Sequence, residues 1–163
     1  MKTSFDVIAA VRAGNLKAVI AGISAGIDVD CTRCLGVAAR YGRLEVARHL
    51  VGLGADVHAD SDAPVRWASE FGHPETVQYL ATLGANVHAS GGYCIRWASA
   101  NGHEGVVRLL VSLGADFRVY GDHCVRMASA GGHLGVVLFL VELGAPRGGI
   151  SAAAAQHIAA SVA

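Results

Sequence analysis

The residues of this chain whose types could do chemistry fall into one isolated pair and several recurring sets. The pair is Cys31-x2-Cys34. Zinc needs four ligands, normally a second such pair or two histidines three to five residues apart, and the chain offers neither. A thioredoxin-like dithiol would need a βαβ context, which is also missing. The recurring sets are His73, His103 and His133, each directly after a glycine; Arg66, Arg96 and Arg126; and Ser69, Ser99 and Ser129. A histidine that returns at one position in every copy points to a turn role repeated along the chain, not to three active sites. His58 and His88, just after Gly-Ala, read as loop-stabilising. An arginine fork satisfies several acceptors at once, so the three arginines either bind loop carbonyls and loop acids or form an anion-binding ladder. The serines stand where a helix interior needs a small residue. There is no G-x-S-x-G elbow, Gly-rich phosphate loop or H-E-x-x-H pair. The expectation is therefore no enzyme, no catalytic residue, no metal and no cofactor.

The elements that carry these residues repeat at a fixed period, and such self-similarity decides the fold. RWASEFGHPETVQYLATLGANV at Arg66 returns as RWASANGHEGVVRLLVSLGADF at Arg96 and as RMASAGGHLGVVLFLVELGAP at Arg126. A looser copy, GVAARYGRLEVARHLVGLGADV, begins at Gly36. Gly42, Gly72, Gly102 and Gly132 are spaced by 30, as are Gly54, Gly84, Gly114 and Gly144. Each pair of glycines brackets an apolar segment at helical spacing, such as Val106, Leu109, Leu110 and Leu113. The second glycine falls where a left-handed C-cap belongs. Pro64 and Pro74 suit the first helical position, where a missing N–H costs nothing. Each unit thus reads as helix, tight turn, helix, then a loop of about ten residues. Phe5 to Ala13 reads as an N-terminal capping helix with polar Lys2, Asp6 and Arg12, and the first loop is two residues shorter. Ser151 is a good N-cap for AAAAQHIAASVA, a C-terminal capping helix whose Ile158 packs back on the stack.

The order RWASxxGHxxxVxxLxxLGAxV resembles the ankyrin repeat, T-P-L-H-x-A-A-x-x-G-H followed by an apolar helix and G-A-D-V-N-A. The corresponding residues run Ala63-Pro64-Val65-Arg66-Trp67-Ala68-Ser69-Glu70-Phe71-Gly72-His73 and end Gly84-Ala85-Asn86-Val87-His88-Ala89. The resemblance covers essentially the whole chain. It implies an all-α ankyrin-repeat solenoid of stacked helix-turn-helix units with N- and C-terminal capping helices. As a single domain, 1–163, it would divide into a capping repeat at 1–30, repeats at 31–60, 61–90, 91–120 and 121–150, and a capping helix at 151–163. The period of 30 falls short of the family's usual 33, and in this it is similar to the short repeats common in giant DNA viruses. Two departures stand out. The family threonine that caps the first helix is replaced by Arg33, Ala63, Tyr93 and His123, which moves the cap to Asp62 and Asp122. The family histidine becomes Gly36, Arg66, Arg96 and Arg126.

Composition limits the partners. More than half of the residues are hydrophobic and the net charge is zero, with 13 basic and 13 acidic residues. That excludes disorder and argues against nucleic acid, which is bound by clustered basic excess. No stretch approaches the roughly 18 to 20 apolar residues of a membrane span. Cys34, Cys94 and Cys124 share one repeat position. Stacked helices lie about 8–10 Å apart, too far for a disulfide, which needs Cα atoms within about 7 Å. They read as small buried hydrophobes in a reducing compartment, and the expected location is the cytoplasm (a host's, if the chain is viral).

What differs between copies is free to carry specificity. The loop tips hold Asp60, Asp62, Tyr93, Tyr120 and Asp122; the ends of the first helices hold Tyr41, Glu70, Phe71 and Asn101. The resemblance places both sets on one concave surface, where aromatics anchor protein interfaces. These nine residues are the candidate contacts to an unidentified protein partner. Trp67 and Trp97, in register with Val37 and Met127, are expected in the core between units. Leu138 breaks a polar register of Arg48, Gln78 and Arg108. It is expected to lie under the C-terminal helix; the other reading is a structural or self-assembly role through an apolar patch at Leu138 or through the caps. Otherwise a monomer is expected.

Overall fold

The computed structural model describes residues 6–162; Lys2 and Phe5, expected in the first helix, lie outside them. Eleven helices are formed among these residues: α1 Val7–Ala13, α2 Leu16–Ser24, α3 Cys31–Arg40, α4 Leu44–Gly52, α5 Ala59–Glu70, α6 Pro74–Thr82, α7 Ala89–Ala100, α8 Glu104–Ser112, α9 Val119–Ala130, α10 Leu134–Glu142 and α11 Ala152–Val162. The first ten form antiparallel pairs. First helices pack on first helices (α1 on α3, α3 on α5, α5 on α7, α7 on α9), and second helices pack on second helices in the same order. The early helices start at side-chain caps: Asp6, Asn15 and Asp30 accept the N–H three residues on at 3.1, 3.0 and 2.9 Å. Pro74 opens α6 at its first position, as its missing N–H allows.

One side of each helix is buried at the same register in every pair. Leu35, Val65, Ile95 and Val125 form one column and Leu50, Leu80, Leu110 and Leu140 another, all essentially without solvent contact. Burying such a side chain stabilises by about 1.5–3 kcal/mol. No pair can bury its columns alone, so the fold exists only as a stack. Cys94 and Cys124 lie wholly inside it, and burial pushes both thiols up to about 11. All four cysteines are free. At the far end Ser151 caps α11 and its own N–H bonds the Ser129 hydroxyl, while Ile158 is buried against the stack.

The turns between paired helices are locked from the next pair. A helix end leaves carbonyls without partners. His73 Nε2 reaches back to the Arg40 carbonyl, His103 to that of Glu70 and His133 to that of Ala100, each at 2.9 Å. Arg43 stands at the same register and does the same for the Arg12 carbonyl, at 2.8 Å through Nε. The imidazole also fills the space over the preceding turn glycine. A Cβ on Gly72, whose φ is +79°, would lie 2.5 Å from His103 Nδ1.

The connections between pairs are more ordered than a ten-residue loop. Asp56, Asn86 and Asp116 accept the N–H two residues on, at 2.8, 2.9 and 2.8 Å. The chain then makes one turn of left-handed helix before the right-handed helix begins. Asp60-Ser61-Asp62, Ser90-Gly91-Gly92 and Tyr120-Gly121-Asp122 all have φ between 52° and 71°. The first pair's shorter connection lacks this turn: Asp30, at φ −68°, caps α3 directly. The expected caps are corrected here. Asp62 does not cap its own helix; its carboxylate accepts the Asn86 N–H of the next connection at 3.1 Å and faces His58 Nδ1 at 2.8 Å. Thr32, in register with it, takes the Asp56 N–H at 3.0 Å in the same way. Nor does the Asp122 side chain cap its helix, whose N-terminus has no side-chain cap.

Two measurements test these locks. Gly72 and Gly114 both have positive φ, +79° and +85°, but a methyl at 114 would meet nothing within 4 Å. Gly114→Ala should cost about 1–2 kcal/mol for its backbone alone. Gly72→Ala should cost at least about 1 kcal/mol more by overpacking His103; equal losses by denaturant titration would contradict the lock. Second, burial holds His103 below its usual 6.5 against the raising effect of the Glu70 carbonyl, with His73 and His133 adding to the lowering. A base kept neutral in the fold protonates more readily when unfolded. Its contribution is complete above about pH 6.5 and is lost as pH falls below that. The drop in thermal midpoint between about pH 7.5 and 5.5 should be smaller in His103→Gln than in the unchanged chain.

Candidate functional site

The right-handed parts of α7 and α9 bury adjacent doublets and leave the doublets between them outside. In α7, Cys94, Ile95, Ala98 and Ser99 are buried. That turns Arg96 and Trp97 to the opposite face. Trp97 and Met127 are 42% and 39% exposed, and Trp67 and Val37 are half-buried. The expectation that this column belongs to the core is therefore corrected for Trp97 and Met127, while Val37 still packs against the core. In the last two copies the position is a surface one, and its direct adjacency to the arginines was the available signal.

The arginines at the preceding position hold the tips. Arg66 donates to the Asp60 carbonyl at 2.7 Å and to that of Ser61 at 3.1 Å. Arg96 donates to the Ser90 carbonyl at 3.4 Å and Arg126 to that of Tyr120 at 3.3 Å. Of the two readings of these arginines, the structure contains the carbonyl-binding one. Two of the guanidinium groups also reach an aromatic ring of the next pair: Arg66 lies 5.1 Å from the Tyr93 ring centre and Arg96 4.9 Å from that of Tyr120. At the other end of the first helices the pattern returns, with Arg12 over Tyr41 at 5.5 Å and Arg40 over Phe71 at 4.6 Å. Such contacts at exposed sites contribute about 0.5–1 kcal/mol each, and they fix the orientation of the rings.

The nine candidate residues divide by what the chain already does with them. Tyr41, Phe71 and Tyr120 are exposed, Tyr120 most of all at 67%. Asp60 is exposed, its backbone left-handed and its carbonyl held by Arg66. Asn101 is exposed but donates to the Glu70 carbonyl at 2.9 Å. Glu70 is half-buried, and its carboxylate accepts the Tyr93 hydroxyl at 2.6 Å. Tyr93 lies along the face with its ring 5.8 Å from that of Trp97, and so joins the tips to the helix ends. Asp122 is half-buried within its turn. Asp62 is turned inward, 9% exposed and engaged with His58 and Asn86, so it is not available as a contact. Leu138, weighed as a self-assembly patch, is half-buried. Among the described residues no group of three or more His, Cys, Asp or Glu is placed to hold a metal, and no helix is long and apolar enough to cross a membrane.

A family model for ankyrin repeats matches residues 7–91 and 65–147, nearly the whole described stack. The chain belongs to the ankyrin-repeat family. Ankyrin repeats are in general protein–protein interaction modules and are typically non-catalytic. No curated protein matches the chain. Against the family pattern, the arginines are this chain's substitution at the T-P-L-H histidine, and here they clamp left-handed tips.

Tyr93 gives a spectroscopic test of the face. Burial, then the hydrogen bond to Glu70 and its negative charge, push the phenol up to about 12. An alkaline absorbance titration should leave this one tyrosine protonated after an ordinary phenol has ionised near pH 10. Glu70→Gln should bring its midpoint down while burial keeps it above that value. An unchanged midpoint would remove the Tyr93–Glu70 bond from the account.

Proposed function

We propose that this ankyrin-repeat chain is a non-catalytic recognition module that binds one partner protein through its loop tips and the concave first-helix face. The observation that carries this reading is the exposed column of Trp97 and Met127, flanked by Tyr120 at a tip and by Tyr41 and Phe71 at the helix ends. Tryptophan and tyrosine, with arginine beside them, are the residue types enriched at the energetic centres of interfaces. Four of these rings or their neighbours are already oriented by guanidinium contacts, which reduces the ordering cost of association. Asp60, Asn101 and Asp122 supply polar groups around them, as an interface rim requires. A partner burying about 1,600 Å² in total would be the standard case. Net neutrality favours protein over nucleic acid, and four free thiols, three of them buried, favour the reducing cytoplasm. In this reading the molecule acts as a monomer; the alternative is self-association through Leu138, which is half-buried, or through the caps.

The test compares affinity capture by the unchanged chain and by a Trp97→Ala, Met127→Ala, Tyr120→Ala variant. A control variant, Gln78→Ala with Arg108→Ala, alters the second-helix side. A partner held by the unchanged chain and the control but lost by the triple variant, with affinity down at least about 100-fold, is the expected outcome. A partner retained equally by all three would reject the first-helix face.

A further inference from the structure

Two arginines of the first helices are oriented by the fold without being bonded by it. Arg12 and Arg40 stand in the last turns of α1 and α3, each two residues before a turn glycine, Gly14 or Gly42. Each guanidinium lies on a ring of the next pair, Arg12 on Tyr41 at 5.5 Å and Arg40 on Phe71 at 4.6 Å, and both arginines are exposed. Among the described residues neither side chain donates a hydrogen bond or forms an ion pair. That separates them from Arg66, Arg96 and Arg126, whose donors are taken by tip carbonyls. It also separates them from Arg48 and Arg108 on the second helices. Those two lie on Tyr79 and Phe139 but face Glu45 at 3.8 Å and Glu104 at 2.8 Å.

A guanidinium held by a ring keeps its fork of donors for a planar acceptor, and the fork fits a carboxylate through two parallel bonds. Arg43 adds a third positive charge at this edge, its Nε on the Arg12 carbonyl at 2.8 Å. Of the acids around it, Glu45 leans to Arg48, and the Glu70 carboxylate takes the Tyr93 hydroxyl at 2.6 Å. Glu70 stands in α5 at the register of Arg12 and Arg40, and Ala100 and Ala130 follow it. The positive edge therefore spans two levels of the stack and ends at a carboxylate. Neighbouring levels lie about 8–10 Å apart. In an extended chain, residues i and i+2 point to the same side about 7 Å apart, and glutamate side chains are long enough to cover the difference.

We propose that Arg12 and Arg40 together receive two carboxylates from an acidic segment of the partner protein, spaced Glu-x-Glu in an extended conformation. The proposal rests on the recognition reading above and specifies what the partner presents to this end of the face. Charge complementarity selects the occupant: the chain is neutral overall, but this edge is positive and its donors are unbonded. Glu70 limits the run to two acids, because a third would meet a like charge. Tyr41 and Phe71, each 38% exposed, offer apolar contact beside the two forks.

The probe is the peptide acetyl-Glu-Ala-Glu-amide, with its Gln-Ala-Gln analogue and inorganic phosphate as comparisons. Each is titrated into the full-length chain at low ionic strength and followed by backbone amide and arginine Nε–H chemical shifts. Expected are saturable shifts at Arg12, Arg40, Tyr41 and Phe71, with the glutamine analogue and phosphate each at least about tenfold weaker. Arg12→Gln with Arg40→Gln should weaken the peptide at least about tenfold. Arg48→Gln with Arg108→Gln removes the same charge and the same kind of ring contact from the second helices, and should change binding less than about twofold. All four arginines are exposed, so both variants keep the fold. Arg12→Lys with Arg40→Lys keeps the charge, loses the fork and should fall between the unchanged chain and the glutamine variant. Equal binding of the glutamine analogue, phosphate binding as tight as the peptide, or equal loss in the two glutamine variants would overturn the proposal. The two readings fail separately. A partner captured undiminished by the Arg12→Gln, Arg40→Gln chain, yet lost by the Trp97→Ala, Met127→Ala, Tyr120→Ala variant, would reject the acidic segment and keep the recognition face. Peptide binding that needs both arginines, in a chain that retains no protein, would keep the carboxylate site and reject the recognition reading.

Discussion

The structure depends on a problem that every helix end poses: carbonyls with no partner inside their own helix. Here the partner comes from the next pair. An imidazole from each following turn reaches back to the last carbonyls of the preceding first helix, and its ring closes the space over a glycine that has no Cβ. One contact therefore ties two things together: the sharpness of the turn and the distance between neighbouring pairs. Arg43 shows that the constraint, not the imidazole, is what recurs, because a guanidinium at the same register satisfies the same carbonyl. A hydrogen bond of this kind is worth about 0.5–1.5 kcal/mol by itself. Its loss would also open the packing on both sides of it, since each pair is stable only against its neighbours.

At the other end of the first helices the constraint is backbone strain. Among the described residues, six that are not glycine stand at positive φ, all of them in the three left-handed tips. Each left-handed L-residue costs roughly 1–2 kcal/mol, so a tip must be held from outside. The arginines hold it by binding the carbonyl of its first residue. Where the connection is two residues shorter no such turn forms, and at that level the arginine is absent. Tip and arginine thus come and go together, which explains why this chain carries arginine where the ankyrin pattern has histidine.

Much of this was legible in the sequence because it repeats. The helix pairs, the glycine turns, the structural histidines, the capping role of Ser151 and the buried Ile158 all follow from period, propensity and capping chemistry. The left-handed tips were not legible. Asp-Ser-Asp and Tyr-Gly-Asp have the composition of any loop, and only tertiary clamping selects one backbone conformation for them. Asp62 was misjudged for the same reason. A carboxylate in a loop is ordinary surface until the next connection brings an N–H to it. The Trp67 and Trp97 column was misassigned because hydrophobicity at a constant register has two causes: an internal seam or an external one. The doublet pattern of α7, two in and two out, distinguishes them only once the helix phase is known.

That second cause bears on what the molecule is for. Trp97 and Met127 leave apolar area in solvent, and exposed apolar area carries an aggregation risk. The arginines beside the column add charge and cover the neighbouring Tyr93 and Tyr120 rings. A rigid array of partly covered aromatics is suited to association, since little freedom remains to be lost on contact. The tips differ from pair to pair in charge and bulk while their backbone path stays the same. In the proposed recognition function, affinity and selectivity are separated on one surface: the apolar column would offer area, and the variable tips would decide which partner can reach it.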